Sequence, residues 1–548
     1  MKLYHIHLLL VALLCYPVLG APLTQEEVNQ IEGELGVVLS ESEKQLLGAI
    51  AKPDGPLPQW RTEAEERIES HRKANLSVEV VDQQGFPVEG VMVEVNLASN
   101  AFRFGGVMSV KDFNNERSIL TNYGFTTEGY RNLFLKLYNA AGLGNGFKPK
   151  LRAGNEQFLP GFLEWAQSNE LPVRGHLLIW PGNENNNHLP ADILSDVEAV
   201  EAAIATGKPQ ATIDALKTTL KANVDAMIAE WASLWGVYEW DVINETLSNY
   251  RVQELLGYDQ MAEWFRIAAE NAVQPDCQFL INEFQIISAR SSSLDPGHYE
   301  TRSGQYKTNI NRIIADGGPL SRIGFQSRFK FEHPDPEVIY DRLEDFGSIY
   351  GLPMVGTEFE VRDNTETNFY PYDFTEEERA RVTEEVLTTY YSHPLVDGLF
   401  AWTYMRMEEH SMCFYDGTVK LNGLVWYYLH RIRYHTHFEG LTDGMGRKSD
   451  RGFKGVYNIE VFHGGKTYIS SVQLEADMTH RVVIESTNGG ASWGKFPIVN
   501  GSYADTGDWL GWVIVDAAPW IWSLSLGAWL YIPESTAFAG LGWVYIPR

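Results

Sequence analysis

The sequence is poor in cysteine, with only three in 548 residues. Cys15 lies in an N-terminal segment that we expect to be removed, so the mature chain keeps Cys277 and Cys413. Two thiols allow either one disulfide or two free thiols, and both remain open. A disulfide framework and a cysteine zinc site are excluded.

Basic residues are also scarce. Lysine and arginine number 44 against 72 aspartates and glutamates, which gives a formal net charge of −28. Nucleic acids and anionic membrane surfaces attract basic patches, so this charge argues against both as partners. A ligand that is neutral or has a low density of charge fits the acidic chain better. Aromatic residues, at 12%, are plentiful, and their flat apolar faces suit sugar rings, although most single rings belong to a core.

The first twenty residues, MKLYHIHLLLVALLCYPVLG, have the pattern of a targeting segment. A lysine precedes an apolar core of roughly ten residues, and Val18 and Gly20 precede Ala21. This core is too short for a membrane-spanning helix, so the pattern predicts a secretory signal over residues 1–20, cleaved after Gly20. We expect a secreted protein, extracellular or at the cell surface, without membrane insertion.

Short segments flank a long central region. Residues 21–60 are acidic and helix-patterned and end in a linker at KPDGPLP. Residues 61–101 predict a helix and then a β-hairpin, because two alternating apolar runs surround a Gln-Gly-Phe-Pro turn. Residues 450–490 predict a further small β segment. These segments read as small β-rich appendages of a larger domain.

The last segment, residues 491–548, repeats a phrase of leucine, glycine and tryptophan. It occurs as LGWVIV at 510, LGAWLYIP at 526 and LGWVYIP at 541, a spacing of about fifteen residues that predicts hairpin-sized units. Two interpretations stay open. An exposed row of tryptophans could attach the protein to glycan or to a cell surface, or the tryptophans could simply pack the hairpins on each other.

The central region, residues 102–440, alternates apolar strands with longer amphipathic segments. Such alternation implies a parallel sheet, and eight units at this length favour a closed (β/α)8 TIM barrel of the α/β class. Helices are predicted near 210–233, 258–273, 305–316 and 376–391. The eight candidate strands lie at 103–109, near Phe147, and at 172–180, 237–244, 278–284, 323–329, 353–361 and 398–405.

Polar residues follow these strands where they end, at the mouth in which active sites of such barrels lie. Glu245 and Glu358 end strands four and seven, which stand across the mouth from each other. Two facing carboxyl groups are what glycoside hydrolysis requires, one to protonate the leaving oxygen and one to attack the anomeric carbon. The remaining candidates are Lys148, His176, Trp180, Asn244, Asn282, Gln326, Arg328 and Trp402.

Several phrases occur in an order that resembles glycoside hydrolase family 10, the retaining endo-1,4-β-xylanases and their relatives. These phrases are FRFGG, YNAA followed by Asn145 and Lys148, RGHLLIW, WDVINE, LINEF, IGFQS, GTEFEV and HPLVDGLFAWTYM, over roughly residues 100–435. An Asn-Glu pair after strand four with a glutamate after strand seven marks only a wider clan that includes cellulases and mannanases. RGHLLIW and IGFQS narrow the resemblance to this family.

The resemblance implies a role for each matched residue. Glu245 would be the general acid/base and Glu358 the nucleophile, and Asn244 would contact the sugar 2-hydroxyl. Arg328 is expected to pair with Glu358 and favour its ionised form, while Arg328 and Asn282 are explained equally well as struts. Further substrate-binding residues would be Lys148, His176 and Gln326, with Trp180 and Trp402 as stacking surfaces.

The chain departs from the family at three positions on the glycone side of the cleft. Pro181, Gly182 and Asn183 replace the usual His-x-Gln after RGHxLxW, Gly146 follows Asn145 where glutamate is usual, and Arg328 stands where histidine is usual. The carboxylates match the family pattern while these positions differ, so the resemblance defines the reaction class more closely than the substrate. Arg328 is one such difference, since arginine is longer than histidine and always charged.

We expect a retaining endo-1,4-β-xylanase that acts on xylan or a related plant cell-wall β-glycan. Its carboxyl groups should stand about 5–5.5 Å apart, and it should need no cofactor. No metal site is predicted, because His435 and His437 lie outside the mouth and the sequence places no further candidate metal ligand with them. The alternatives are an endo-β-glycanase of the same clan that acts on another polysaccharide, and a glycan-binding protein that does not cleave.

Overall fold

The computed structural model describes residues 20–116, 118–185, 188–365, 369–485, 492–499, 502–532 and 537. Almost all of the predicted signal segment, and the third repeat phrase at 541, lie outside these residues. The chain divides into two compact units. The first contains residues 20–73, 99–435 and 453–455, and the second contains residues 74–98, 436–452 and those from 456 onward.

The first unit is built around eight parallel strands that close on themselves. Each strand pairs with the next, and the last pairs with the first. The predicted (β/α)8 barrel is therefore confirmed. The strands are β1 (Arg103–Met108), β2 (Ala140–Leu143), β3 (Val173–Gly175), β4 (Val237–Asn244), β5 (Gln278–Glu283), β6 (Arg322–Phe325), β7 (Met354–Val361) and β8 (Val396–Ala401).

One barrel strand differs from its prediction. The second strand lies at Ala140–Leu143, and Phe147, where the strand was expected, follows it in a turn. Ala-Ala-Gly-Leu has little of the β-branched and aromatic character that marks strands in a sequence. Phe147 is instead a buried core residue, with its ring centroid 5.4 Å from that of Trp240.

Helices surround the barrel, and the four predicted between strands are present. Their observed bounds are Gln210–Ala232, Gln260–Asn271, His298–Ala315 and Glu376–Ser392. The other helices of the first unit are Gln25–Leu35, Glu41–Ala51, Gln59–His71, Val110–Phe113, Ile119–Asn122, Thr127–Leu137, Arg152–Asn155, Leu159–Ser168, Ala191–Ala205, Arg251–Leu256, Pro336–Tyr350 and Leu421–Tyr428, with 3₁₀ turns at Pro149–Leu151 and Glu156–Phe158 and a π-helical turn at Leu429–Arg433.

The acidic N-terminal helices belong to the barrel unit. Thr24 and Ser40 each begin a helix with a reciprocal capping box, which satisfies backbone donors that the first turn leaves open. The Tyr428 hydroxyl donates to Glu27, over 2.7 Å. Arg61 forms a buried ion pair with Glu384, at 2.7 Å for one of its two contacts. Since these contacts join the N-terminal helices to residues of the barrel region, the helices are part of the first unit and not a detached spacer.

Charged side chains near the amino ends of the strands form an ion network inside the barrel. Arg103 donates to Glu239 over 2.8 Å and to Asp397 over 2.6 Å, and Arg322 contacts the same two carboxylates. Paired charges offset the high cost of burying single ones. The network therefore supports the barrel from the end opposite to the candidate site.

In its described residues the second unit contains three sheets, and the first two of them correct the hairpin prediction. The chain does turn at residues 82–86, but Lys73–Asp82 pairs with Arg447–Phe453 and Met478–Ile484, whereas Met92–Asn100 pairs with His437–Leu441 and Gly455–His463. Lys466–Leu474 completes the second sheet. Alternation shows that one face of a strand is buried, but it does not identify the pairing partner.

The C-terminal repeats form a six-stranded antiparallel sheet in the described residues. Its strands are Ser492–Trp493, Phe496–Val499, Tyr503–Asp505, Trp512–Ile514, Trp520–Ser523 and Ala528–Tyr531. Trp493 is buried in its core, whereas Trp512, Trp520 and Trp529 are 46%, 43% and 48% exposed. Their cross-strand register places these three on one face, because side chains two residues apart share a side.

Two further properties concern the chain as a whole. Cys277 and Cys413 are both free thiols. Within the ranges that the structure describes, every helix is too short or too polar to cross a bilayer.

Candidate active site

The two predicted catalytic carboxylates reach the same mouth from different strands. Glu245 directly follows β4, with φ of 58°, and its N–H donates to the Asn282 carbonyl over 2.8 Å. A left-handed conformation is unusual outside glycine, and it turns this side chain out of the strand direction. Glu358 lies within β7 and is 3% exposed, and its N–H donates to the Gln326 carbonyl over 2.9 Å.

Glu358 is held by donors on both of its oxygens. Arg328 donates to Oε2 from Nε over 3.1 Å and from Nη2 over 2.5 Å, and Asn282 donates to Oε1 over 3.0 Å. Charge-assisted hydrogen bonds of this kind favour a carboxylate over a carboxylic acid. The expected pairing of Arg328 with Glu358 is therefore present.

Within the described residues, Glu245 accepts hydrogen bonds from neutral amides and, unlike Glu358, not from an arginine. Its Oε1 accepts from Gln326 over 2.6 Å and its Oε2 from Asn249 over 3.2 Å. Burial, and next the negative charge of Glu358, raise the pKa of Glu245, while Gln326, Arg328 and Lys148 counteract part of that rise. The environment of Glu245 therefore favours its protonated form.

Asn282 connects the end of β4 with Glu358 of β7, whereas the sequence left it open whether this residue belongs to the site or is only a strut. Its Nδ2 donates to Asn244 Oδ1 over 2.9 Å and to Glu358, and its Oδ1 accepts from Thr357 over 2.7 Å. Because the Asn244 oxygen is occupied, its Nδ2 is left as the donor toward the mouth. Asn244 is 1% exposed, so a glycosylation acceptor at this Asn-Glu-Thr sequence is disfavoured.

His176 is oriented by a buried carboxylate. Its Nδ1 lies 2.6 Å from Asp241 Oδ2, which Arg174 also contacts, and 3.9 Å from Glu358 Oε1. Burial lowers the pKa of His176 well below its ordinary value, which favours the neutral ring, and the contact with Asp241 fixes the ring's orientation. Burial also raises the pKa of Asp241 to about 7. Sequence reasoning missed Asp241, although it precedes Asn244 by three residues in WDVINE.

The aromatic candidates line the mouth together with cations. The Trp402 ring centroid lies 5.2 Å from that of His176, 5.7 Å from Lys148 Nζ and 4.8 Å from Arg328 Cζ. Lys148 Nζ is also 5.1 Å from the Trp180 centroid. His188, which sequence reasoning missed, stacks on Trp180 at 3.3 Å and 3°. The ten candidate site residues are therefore brought together, and one face of Trp180 is covered.

A third carboxylate, Glu360, shares Arg328 with Glu358. Arg328 Nη1 donates to Glu360 Oε2 over 2.5 Å, and the Thr403 hydroxyl donates to Oε1. Glu358 and Glu360 are two residues apart in β7, so they project to the same side of the strand. The two-residue spacing of the glutamates is visible in the sequence GTEFEV, but this spacing alone does not show that both contact the same arginine.

The departures from the family pattern have local structural reasons. A Cβ at Gly146 would stand 2.6 Å from Leu143 Cδ1 and 2.7 Å from its Cβ, so a glutamate there would displace a buried leucine. The Gly182 carbonyl accepts from the Arg251 N–H over 3.1 Å, and Asn183 Nδ2 donates to the Ser248 carbonyl over 2.8 Å. Those contacts tie this loop to the segment that follows Glu245.

The described residues contain no group of three or more histidine, cysteine, aspartate or glutamate side chains that could hold a metal ion. His437 begins the strand His437–Leu441 in the second unit, and His435 belongs to the barrel unit.

Comparison with known proteins finds a family model and individual proteins to which this chain is similar. Residues 96–411, more than half of the chain, match the family described as Glycosyl hydrolase family 10. The chain is similar to endo-1,4-beta-xylanase 5 of Arabidopsis thaliana, with 24% identity over 385 residues that cover 68% of this chain and 58% of that protein. It is also similar to anti-sigma-I factor RsgI6 of Acetivibrio thermocellus, with 24% identity over 420 residues that cover 74% of this chain and 47% of that protein.

The chain thus spans about half the length of these curated relatives. Among solved structures it is similar to native xylanase 10B from Thermotoga maritima, at 18% identity and a TM-score of 0.46, covering 61% of this chain and 96% of that one.

Proposed function

Because the chain belongs to glycosyl hydrolase family 10, we propose that it is an endo-1,4-β-xylanase that hydrolyses the xylan main chain with retention of configuration. The observation that carries the proposal is the asymmetric carboxylate pair at the barrel mouth. Glu358 is held by Arg328 and Asn282, whereas burial and a neighbouring charge favour the protonated form of Glu245.

In the first step, Glu245 donates its proton to the glycosidic oxygen as the bond to the anomeric carbon breaks. Glu358 Oε attacks that carbon from the opposite face and forms a glycosyl ester, and the shortened leaving chain departs as a neutral alcohol. The proton comes from Glu245, so this residue ends the step ionised.

In the second step, ionised Glu245 takes a proton from water, whose oxygen attacks the anomeric carbon and releases Glu358. Two displacements restore the original configuration. Asn244 Nδ2 is placed to donate to the sugar 2-hydroxyl, a contact that strengthens in the transition state. Lys148, neutral His176 and Gln326 are proposed to hold other hydroxyl groups, and Trp402 to stack against a ring.

A product assay on a panel of polysaccharides tests the substrate. Xylan, arabinoxylan, mannan, mixed-linkage glucan and cellulose are incubated with the purified protein, and released oligosaccharides are separated by chromatography. We expect internal cleavage of xylan and arabinoxylan. Release from mannan or glucan but not xylan would assign the chain to another main chain.

A glycan-binding protein that does not cleave is the second candidate, and one relative carries the name of an anti-sigma factor. The intact carboxylate pair weighs against it. Binding to a polysaccharide of the panel without release from any of them would favour this candidate over the enzyme.

Arg328 should tune the pH dependence of catalysis. In Arg328→His the permanent charge that lowers the pKa of Glu245 is lost above neutral pH, so Glu245 keeps its proton to higher pH. We expect the alkaline limb of kcat/KM to move to higher pH, with a loss of about 10-fold or more in its maximum because charge-assisted hydrogen bonds to Glu358 are removed.

Arg328→Lys keeps the charge and is the matched control, for which the alkaline limb should stay in place. Identical pH profiles of wild type and Arg328→His, measured on xylo-oligosaccharides from pH 4 to 10, would show that Arg328 does not tune the pair.

We propose further that the exposed face of the six-stranded sheet attaches the protein to insoluble xylan. Trp512, Trp520 and Trp529 lie on that face, and aromatic faces pack against the apolar sides of sugar rings. In the full-length protein, Trp512→Ala/Trp529→Ala should weaken adsorption to insoluble xylan about 10-fold. Trp235→Ala, which removes a 48% exposed tryptophan of the barrel unit, is the control. Equal adsorption of all three proteins would leave the tryptophans a packing role.

Secretion is also proposed, from the apolar N-terminal segment. Expression with the native N-terminus in a bacterial host should release protein whose first residue is Ala21, as read by N-terminal sequencing. Protein that stays in the cells with Met1 intact would contradict the proposal.

A further inference from the structure

A cavity of about 660 Å³ lies beside the catalytic carboxylates, bordered by the segments that follow β1, β2 and β8. Its wall includes Trp402, which also contacts His176, and Arg328, which holds Glu358. A space of this size accommodates sugar units of a bound chain or a substituent on them. The cavity is therefore continuous with the candidate active site.

The wall of this cavity is cationic, although the chain as a whole is acidic. Acidic residues outnumber basic ones by 72 to 44 in the sequence. Among the described residues of the wall, by contrast, none carries a carboxylate, and five carry cations: Lys111, Lys148, Lys150, Arg328 and Arg406. A concentration of one sign of charge in a cleft produces a local potential that attracts the opposite sign.

The catalytic machinery accounts for only part of this charge. Arg328 is engaged by Glu358 and Glu360, and Arg406 donates to Asp112 over 3.3 Å. Lys111, by contrast, is exposed on the cavity wall.

The segment that contains Gly146 and Lys148 also contributes to the positive charge of the cavity wall. Burial lowers the pKa of Lys148, with Glu358 opposing and Arg328 adding to that effect, so a further anion nearby would stabilise its charged form. Gly146 leaves this segment without the carboxylate that is usual in the resembling pattern, and Leu143 excludes a side chain there. Compared with the resembling pattern, this segment therefore lacks a negative charge at position 146 and keeps the positive charge of Lys148.

We propose that this cavity binds a carboxylate carried by the glycan, as in a glucuronic acid substituent on the xylan main chain. The inference rests on the proposed function and names the substrate class of the same site. Lysine ammonium groups act as point charges that tolerate several orientations of a carboxylate, which suits a substituent attached through a flexible linkage.

The test compares glucuronoxylan oligosaccharides with the same oligosaccharides after reduction of their carboxyl groups to alcohols. The two substrates match in size and linkage and differ in charge. For the wild-type protein we expect kcat/KM to be about 5- to 10-fold higher on the acidic substrate, and 0.5 M NaCl should remove most of that preference.

The variant Lys111→Gln/Lys150→Gln removes two wall cations that have no proposed role in catalysis. It should lose the preference for the acidic substrate and keep the wild-type kcat/KM on the reduced one. Lys208→Gln changes an exposed lysine between the helices Ala191–Ala205 and Gln210–Ala232, which is not part of the cavity wall; it is the matched control and should behave as wild type.

The outcomes separate this inference from the proposed function. Cleavage of both substrates at equal rates by the wild-type protein would overturn the inference and leave the xylanase proposal intact. If neither substrate is cleaved, the xylanase proposal fails, and calorimetric titration with the two oligosaccharides decides the inference. Equal affinity for both would overturn it, and tighter binding of the acidic one, lost in Lys111→Gln/Lys150→Gln, would support it.

Discussion

Glu358→Ala should abolish hydrolysis of xylan, with a loss of kcat on the order of 10⁴-fold or more. The proposed glycosyl ester needs a nucleophile on the face of the sugar opposite to the leaving group, and water is a poor substitute. Loss of kcat is measured by reducing-sugar release, and Glu358→Gln, which keeps the size of the side chain, should be comparably inactive.

Glu360→Gln is the matched control on the same strand. Glu360 also accepts from Arg328, but Glu358 is the carboxylate that Asn282 joins to the Asn244 strand end. We expect a loss of about 10-fold, from weakened positioning of Arg328. Comparable losses in Glu358→Gln and Glu360→Gln would show that the nucleophile is misassigned.

Azide distinguishes chemistry from misfolding in Glu358→Ala. The truncated side chain leaves space on the attacking face, so azide should restore turnover of an aryl xylobioside that carries a good leaving group. Because only one displacement then takes place, the product should be the glycosyl azide of inverted configuration. A product of retained configuration would instead place the nucleophile elsewhere.

Glu245→Ala should lower kcat/KM on xylan by about 10²- to 10⁴-fold, the contribution of a positioned general acid. Expulsion of a sugar alkoxide needs a proton, whereas a dinitrophenolate leaves without one. The first step on dinitrophenyl xylobioside should therefore remain fast, and the slow second step should produce a burst of dinitrophenol. Equal losses on both substrates would contradict the role of Glu245 as acid.

The same variant should alter the pH profile. Burial and the charge of Glu358 raise the pKa of Glu245, so the wild-type acid stays protonated to higher pH than an ordinary glutamate and activity falls as pH rises through that value. In Glu245→Ala this alkaline limb should disappear. Asn249→Ala removes a donor to Glu245 Oε2 and to the Ser248 hydroxyl but keeps the acid itself, so the limb should remain.

Much of the barrel and the central pair of the site could be predicted from the sequence, because the signals are local. WDVINE and GTEFEV each combine a buried strand with a carboxylate at its end, and the barrel rule then brings Glu245 and Glu358 to one mouth. Arg328 could be expected beside Glu358 because β6 and β7 are neighbours. The strand at Ala140–Leu143 was not predicted, because its small residues give only a weak strand pattern.

Contacts between distant segments could not be predicted in the same way. The alternation in Lys73–Asp82 and Met92–Asn100 was visible, but the partners that separate them into two sheets lie more than 300 residues away in the chain. Asn282 could not be distinguished from a strut until its amide was placed between Asn244 and Glu358. Period-two patterns define a buried face and leave its partner open.

The sequence by itself determined the barrel, the two carboxylates and the family resemblance, since each depends on short patterns repeated in order. Only the tertiary structure decided which charged groups lie close enough to interact. Arg328 serves two carboxylates of one strand, and the cationic cavity collects lysines from the segments after β1 and β2 and an arginine from the segment after β8. Electrostatic interactions depend on distance in space, and chain folding sets that distance independently of separation along the sequence.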